Sequence, residues 1–288
     1  MTVRLDTVMD EIDNLPALPG ITVRIIQVMA DPRADINHLL EIVQYDQSLT
    51  GQVLRLCNSA YFGLSRKIGT LKEALAYLGS KHLMQIVLGV HCSGLLQKAQ
   101  PGYGLVVGML WRHSATVALI AERTGKQINF NNPGMLFTAG LLHDIGKVIL
   151  GSFLADSYQQ VISLLSHSPI TFPAAEKEVL GFSHAEVGEA LTSRWHLPKP
   201  LVAAARYHHE PDSYDGTDPL IRQTIDLVHI ADSLALTMGL GIGDDGLMYN
   251  IDPTLARKYA IADRQFELVE ADVLIELERM ETIYNGGK

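Results

Sequence analysis

Apolar residues in this chain recur at spacings of three and four, the period of a helix with one buried face. Ile21, Ile25, Val28 and Met29 make one such stripe; Ile36, Leu39, Leu40 and Val43 make the next; Leu49, Val53, Leu54 and Leu56 make a third. Start signals fall between the stripes. Asp35 stands where an N-cap belongs, just after the breaker Asp31-Pro32. Thr70-Leu71-Lys72-Glu73 and Ser183-His184-Ala185-Glu186 both have the capping-box pattern, and the first opens a helix with Leu71, Ala74, Leu75 and Leu78 turned inward. No Asn-Gly turn separates alternating apolar runs, and no strand leads through a glycine-rich loop into a helix. The pattern predicts an all-α chain of roughly a dozen helices, from one over Val3–Ile12 to a closing pair over 252–262 and 264–284. Two soft seams interrupt it, Gln97–Tyr103 and the glycine-rich Gly239–Gly246.

Composition narrows the function classes. With 47% hydrophobic and 19% charged residues in 288, the chain is an ordinary globular one with enough apolar material for a core. Its net charge of -9 and the lack of any Lys/Arg cluster argue against direct binding to nucleic acid. The apolar stretches Met84–Val90 and Gly104–Trp111 fall short of the about 20 residues that span a bilayer, so no membrane insertion is expected. Cys57 and Cys92, both in apolar surroundings, read as reduced core residues of a cytoplasmic protein.

Candidate chemistry concentrates in the middle third: His113, His143-Asp144, His184, His208-His209 and Asp232. Imidazole and carboxylate donors without thiolates suit Fe, Mn, Zn or Ni better than Ca. Each piece alone is weak, since eleven histidines would give a chance doublet about 0.4 times in a chain of this length. His38, His82, His91, His167, His196 and His229 read as structural or surface residues. Placement lifts the others. His143-Asp144 interrupts the apolar segment Leu136–Leu150, where a lone carboxylate is costly and needs a cation. Lys147, one helical turn beyond His143, either balances Asp144 directly or points its charge at a phosphate held on a metal. His184 follows its Ser183 cap, where the helix dipole favours the neutral, metal-binding imidazole. Asp232 interrupts the apolar face Leu227, Val228, Ala231, Leu234 and Ala235.

Taken in order, these motifs resemble an HDOD protein, the signalling branch of the HD-domain metal-dependent phosphohydrolase superfamily that lacks the Gly-Tyr-Pro signature. The motifs that carry the resemblance are Leu15-Pro16-Ala17-Leu18-Pro19, Asp46-Gln47-Ser48-Leu49, Leu54–Ala60, Ala74–Gly79, Trp111-Arg112-His113-Ser114, the His143-Asp144 segment, Leu180–His184, Trp195-His196-Leu197-Pro198 and His208-His209. The resemblance implies a multi-helix HD-domain-like bundle over residues 8–240, with an N-terminal helical part (1–100), a metal-site part (101–240) and a C-terminal helical extension (241–288). It implies that His113, His143, Asp144 and Asp232 hold a first metal, and that His184, His208 and His209 hold a second with Asp144 bridging. Two departures argue against cleavage of cyclic dinucleotides. Pro211–Gly216 follows Glu210 without Gly-Tyr-Pro, and Met109 stands where that branch carries a glutamate.

Two functions then compete. One is a regulatory output module that contacts protein partners in bacterial signalling. The other is a metal-dependent phosphohydrolase or phosphodiesterase, in which the metals and Lys147 stabilise charge developing around phosphorus, with Asp144 at the reacting centre. Arg112 and Arg206 are the only other cations beside the ligands.

Overall fold

A computed structural model describes residues 20–30, 43, 47–58, 67–241, 243, 253–259 and 269–278. These are all-helical apart from turns and one isolated bridge between Gln100 and Leu105. In order the helices are α1 (Gly20–Ala30), α2 (Gln47–Cys57), α3 (Leu71–Leu96), α4 (Met109–Gln127), α5 (Pro133–Leu142), α6 (Lys147–His167), α7 (Phe172–Leu180), α8 (His184–Arg194), α9 (Lys199–Tyr207), α10 (Pro219–Thr237) and α11 (Pro253–Lys258), with a further helical stretch at 269–278. The expected helix Val3–Ile12, the cap at Asp35 and the motif Leu15–Pro19 lie outside the described residues. Of the expected closing pair, 253–258 and 269–278 are helical.

Both capping boxes form. The Thr70 hydroxyl accepts from the Glu73 amide while Glu73 reaches back to the Thr70 N–H, and Ser183 and Glu186 do the same at α8. The predicted inward face of α3 holds at Leu71 and Ala74, with Leu75 and Leu78 half-buried. One feature the periodicity does not announce is a break inside α3. Gly79 adopts φ 75° and ψ 163°, a conformation essentially restricted to glycine, so the helix kinks there.

Two main hydrophobic clusters follow from these faces, beside a minor one of Ala203, Ile221 and Ile225. The smaller of the two main clusters joins Ile25, Val53, Cys57, Leu71, Ala74, Leu83, Ile86 and Val87 from α1, α2 and α3 with Val43 and Ile68 outside them. Asn58 locks its edge: its side-chain amide donates to the carbonyls of Leu54 and Ile68, and its oxygen accepts from the Ile68 N–H. The larger cluster runs through α4 to α10 and includes Leu255, Val269, Val273 and Leu277 of the C-terminal segment. Polar anchors also tie that segment down. Lys258 and Tyr259 donate to the buried carboxylate of Asp226, which Arg222 also meets, while Arg123 pairs with Asp272 and Glu276.

The stretch 133–167 is long and apolar enough, by length and composition, to cross a membrane. It is not one continuous helix, however. The chain turns at 143–146 between α5 and α6, and the buried side chains of His143, Asp144 and Lys147 lie at that turn. Cys57 and Cys92 are buried free thiols, and burial pushes them up to about 11 and about 12.

Candidate metal centre

Five elements bring the predicted residues together. His113 lies in the second turn of α4; His143 and Asp144 lie in the turn after α5; His184 is the first residue of α8. His208 caps the C-terminus of α9, His209 follows it, and Asp232 lies on the buried face of α10. Glycines permit the approach. A Cβ on Gly140 would stand 2.7 Å from the Ala118 Cα, so α4 and α5 meet backbone to backbone. A Cβ on Gly146 would stand 2.0 Å from the His184 carbonyl oxygen, so only glycine lets the 143–146 turn touch the start of α8. Gly241, at φ 70°, presses against the His113 amide in the same way.

Asp144 is the hub. Its Oδ2 lies 3.3 Å from His143 Nε2 and 3.7 Å from His113 Nε2, while its Oδ1 lies 3.3 Å from His184 Nε2 and 3.5 Å from His208 Nε2. Asp232 Oδ1 is 3.0 Å from His113 Nε2 and 3.7 Å from His143 Nε2, and its Oδ2 is 3.8 Å from His209 Nδ1. His209 Nε2 stands 2.8 Å from His184 Nε2. All seven residues predicted from the sequence therefore meet in one buried cluster.

The far side of four of the five rings explains their orientation. Nδ1 of His143 donates to the Gly140 carbonyl at 2.7 Å, that of His208 to Ala204 and Ala205 at 3.1 Å each, and that of His113 to Leu240 at 3.4 Å. Nδ1 of His184 donates to both oxygens of Glu176, at 2.8 and 2.9 Å. A proton held on Nδ1 makes Nε2 of the neutral ring the donor atom that faces the hub, the arrangement that metal-binding histidines use.

Electrostatics agree with a cation site. For Asp144, burial opposes ionisation, yet the Lys147 ammonium and His143 hold its carboxyl well below the usual range. Burial likewise opposes ionisation of Asp232, but its hydrogen bond to His113 and the charge of His143 win and lower it. Burial lowers His208 to about 4, and burial with the neighbouring imidazoles lowers His209 well below normal, so both stay neutral. His184 and His143 go the other way: burial would lower both, but the Glu176 carboxylate and Asp144 raise His184 to about 9, and Asp144 with Asp232 raises His143. His184 is therefore not the neutral imidazole expected from its helix dipole, and a metal must displace a proton from it.

The remaining predicted residues divide. The Lys147 ammonium sits 2.6 Å from Asp144 Oδ2 and 5.4 Å above the Tyr103 ring, so it balances the carboxylate directly. Arg206 is turned onto Glu189 and Glu186 and over the Tyr207 ring. Glu176, Tyr103 and His229, none of them chosen as site residues from the sequence, also support the site. Glu176 is fully buried and takes the His184 amide, the His184 ring and the Tyr103 hydroxyl, the last at 2.5 Å. Its signal was present, since Glu176 stands four residues from both Phe172 and Leu180 on the buried face of α7. His229, read above as structural, donates from Nδ1 to the His208 carbonyl at 2.6 Å and so steadies the doublet's backbone.

The residues fit a divalent metal. His143 Nε2, His208 Nε2 and Asp144 Oδ1 are buried without a hydrogen-bond partner, a costly state that a cation relieves. The candidate donor atoms group as Asp144, His184, His208 and His209; as His113, His143 and Asp144; and as His143, His208 and Asp232. Within each group all atoms lie within 4.8 Å of one another, close to what bonds of about 2 Å require.

Comparison with known proteins bears on the family and the fold. The model of the HDOD domain matches residues 15–211. An uncharacterized protein of Treponema pallidum is 26% identical over 216 residues, which is 75% of this chain and 42% of that protein. Ribonuclease Y of Thermus thermophilus is 31% identical over 102 residues, 35% of this chain and 13% of that one. The chain thus spans less than half the length of the curated relatives it matches. Among solved structures, an HDOD domain protein with unknown function from Geobacter sulfurreducens superposes with a TM-score of 0.73 at 28% identity, covering 96% of both chains. A protein of Marinobacter aquaeolei, named as a candidate signal transduction protein, has the same fold with a TM-score of 0.73 at 21% identity, covering 99% of this chain and 61% of its own. The ordered motifs, the all-helical fold and the match over most of its length agree, and the chain belongs to the HDOD family.

Proposed function

We propose that the chain is a signalling module of the HDOD type. It acts by contact with protein partners, and a divalent metal at the His/Asp centre fixes the arrangement of its helices. The observation that carries this reading is how closed the centre is. Asp144, His143 and His184 are each 1% exposed and His208 is fully buried, while Lys147 is committed to Asp144 and Arg206 to Glu189. Hydrolysis of a phosphate ester needs its phosphoryl group placed within a fraction of an ångström against several positive charges. Two acids, Glu210 and Asp212, line the cavity at the edge of the centre instead. His113, His143, Asp144, His184, His208, His209 and Asp232 would hold the metal, and Fe, Mn, Zn or Ni would suit those donors. Bound there, it would supply Lewis acidity and a cross-link among α4, the 143–146 turn, α8, α9 and α10.

One observation favours the alternative, a metal-dependent phosphohydrolase with Asp144 and Lys147 at the reacting centre. A cavity of about 280 Å³, bounded by His209, Glu210, Pro211, Asp212, Ser213, His229 and Leu255, gives the centre an approach from one side. One experiment separates the readings. Protein purified without added metal is analysed for its metal content and screened against nucleotides, cyclic dinucleotides and phosphate esters. Bound metal without turnover is the expected result. Turnover abolished by Asp144→Ala, and restored to metal-stripped wild type by Mn or Fe, would replace the signalling reading with the enzymatic one.

A further inference from the structure

The two halves of the centre are built from similar donors but backed differently. On the Oδ2 side of Asp144, His113 and His143 direct Nδ1 at backbone carbonyls of Leu240 and Gly140. On the Oδ1 side His208 does the same with Ala204 and Ala205. His184, also on the Oδ1 side, rests instead on a carboxylate. Glu176 receives the His184 ring at both oxygens, the His184 backbone N–H at 2.9 Å and the Tyr103 hydroxyl at 2.5 Å, and is itself fully buried. The Oδ2 side carries the opposite feature, because the Lys147 ammonium already stands 2.6 Å from that oxygen.

We infer that Glu176 is a positioning residue that divides the centre into two unequal halves. The half formed by Asp144 Oδ1, His184, His208 and His209 fills first and releases its metal last. The half formed by Asp144 Oδ2, His113, His143 and Asp232 is the weaker one. The inference rests on the reading above that this centre holds metal, and the physical argument has two parts. A carbonyl dipole fixes a histidine's tautomer, whereas a buried carboxylate also adds a full negative charge behind the ring, making Nε2 a stronger donor and the half more attractive to a dication. Lys147 acts in the opposite sense, since a cation bound near Oδ2 must compete with an ammonium hydrogen-bonded to it. Tyr103 holds Glu176 in the two-sided geometry that lets one carboxylate grip both the backbone and the ring of His184.

The test uses the full chain, with Co²⁺ as the probe because its visible spectrum reports coordination number and donors, and His143→Ala identifies the bands of the weaker half. Wild type is titrated with Co²⁺ and back-titrated with a chelator, beside Glu176→Gln, Glu176→Asp and His143→Ala, each checked for native helicity. The amide of Glu176→Gln can still accept from Nδ1, so the fold and tautomer are kept while the charge is lost. The tight equivalent in Glu176→Gln should weaken about 10- to 100-fold, its spectrum shifting while that of the weak equivalent stays as in wild type. Glu176→Asp should recover part of the loss, and His143→Ala should abolish the weak equivalent alone. If Glu176→Gln leaves both equivalents unchanged, or weakens both alike, the proposed division is wrong although the centre still binds metal. If wild type takes up no Co²⁺, Zn²⁺ or Mn²⁺, the metal reading itself fails and the inference falls with it.

Discussion

A histidine can hold a metal only through a nitrogen that has no proton, and here the partner of each Nδ1 settles which nitrogen that is. Four of the five clustered rings direct Nδ1 outward to an acceptor, so their Nε2 atoms face Asp144. Asp144 touches both halves of the centre through different oxygens, whereas His184 belongs to one. Asp144→Ala should therefore strip the metal from both halves, and His184→Ala from one. Metal-to-protein ratios after gel filtration check this, and equal losses in the two variants would contradict the bridging role. Gly146 is the second residue on which the site turns, because any Cβ there collides with the His184 carbonyl. Gly146→Ala is expected to cost about 1–3 kcal/mol as the backbone shifts to make room. It should also lower metal affinity, which denaturant midpoints measured with and without metal would resolve.

At the scale of elements, the helices are joined by side chains as much as by apolar faces. Asn58 bridges the end of α2 to Ile68, just before the cap of α3, with three hydrogen bonds. Asn58→Ala should loosen that joint, with a loss of about 1–3 kcal/mol seen in urea unfolding and faster amide exchange at Ile68. Because this joint belongs to the smaller hydrophobic cluster, metal binding in the larger one should be almost unchanged. The kink at Gly79 has a different status. It falls within the smaller cluster, which takes Leu71 and Ala74 before it and Leu83, Ile86 and Val87 after it, and nothing in the spacing of apolar residues foretold it, because the helical period continues on both sides.

For the whole molecule, the buried histidines make stability depend on pH in opposing ways. His208 titrates at about 4 in the folded state, because burial disfavours its charge, against about 6.5 in the unfolded chain. Below pH 6.5 the unfolded state binds a proton that the folded state refuses, so stability falls as the pH drops toward 4. His209, lowered by burial and by its neighbours, acts in the same direction. For His184, burial is outweighed by Glu176 and Asp144, which raise it to about 9. Its contribution is complete below pH 6.5 and disappears as the pH rises toward 9. Asp144 and Asp232 are depressed, so their contributions are constant above about pH 4 and lost only below it. Metal-free protein should consequently be most stable near pH 6–7, with urea midpoints lower at both pH 5 and pH 9. A midpoint rising steadily across that range would show that His184 is not held by Glu176 as described.

What the sequence determined by itself was everything that depends on short range: the helical period, the two capping boxes, and the seven ligand-type residues interrupting otherwise apolar faces. Asp144 and Asp232 were legible because a carboxylate on an apolar face demands a partner, whatever the fold turns out to be. Tertiary structure alone decided the partners. It placed Glu176 behind His184, turned Arg206 away onto Glu189, gave His229 a carbonyl to hold, and set the Lys147 ammonium against Asp144. The reason is physical. Burial of one face can be read from a local period, but the group a buried charge meets, whether three residues away as Lys147 is from Asp144 or more than a hundred as His113 is from Asp232, is fixed by which helices pack and by where a glycine lets them touch.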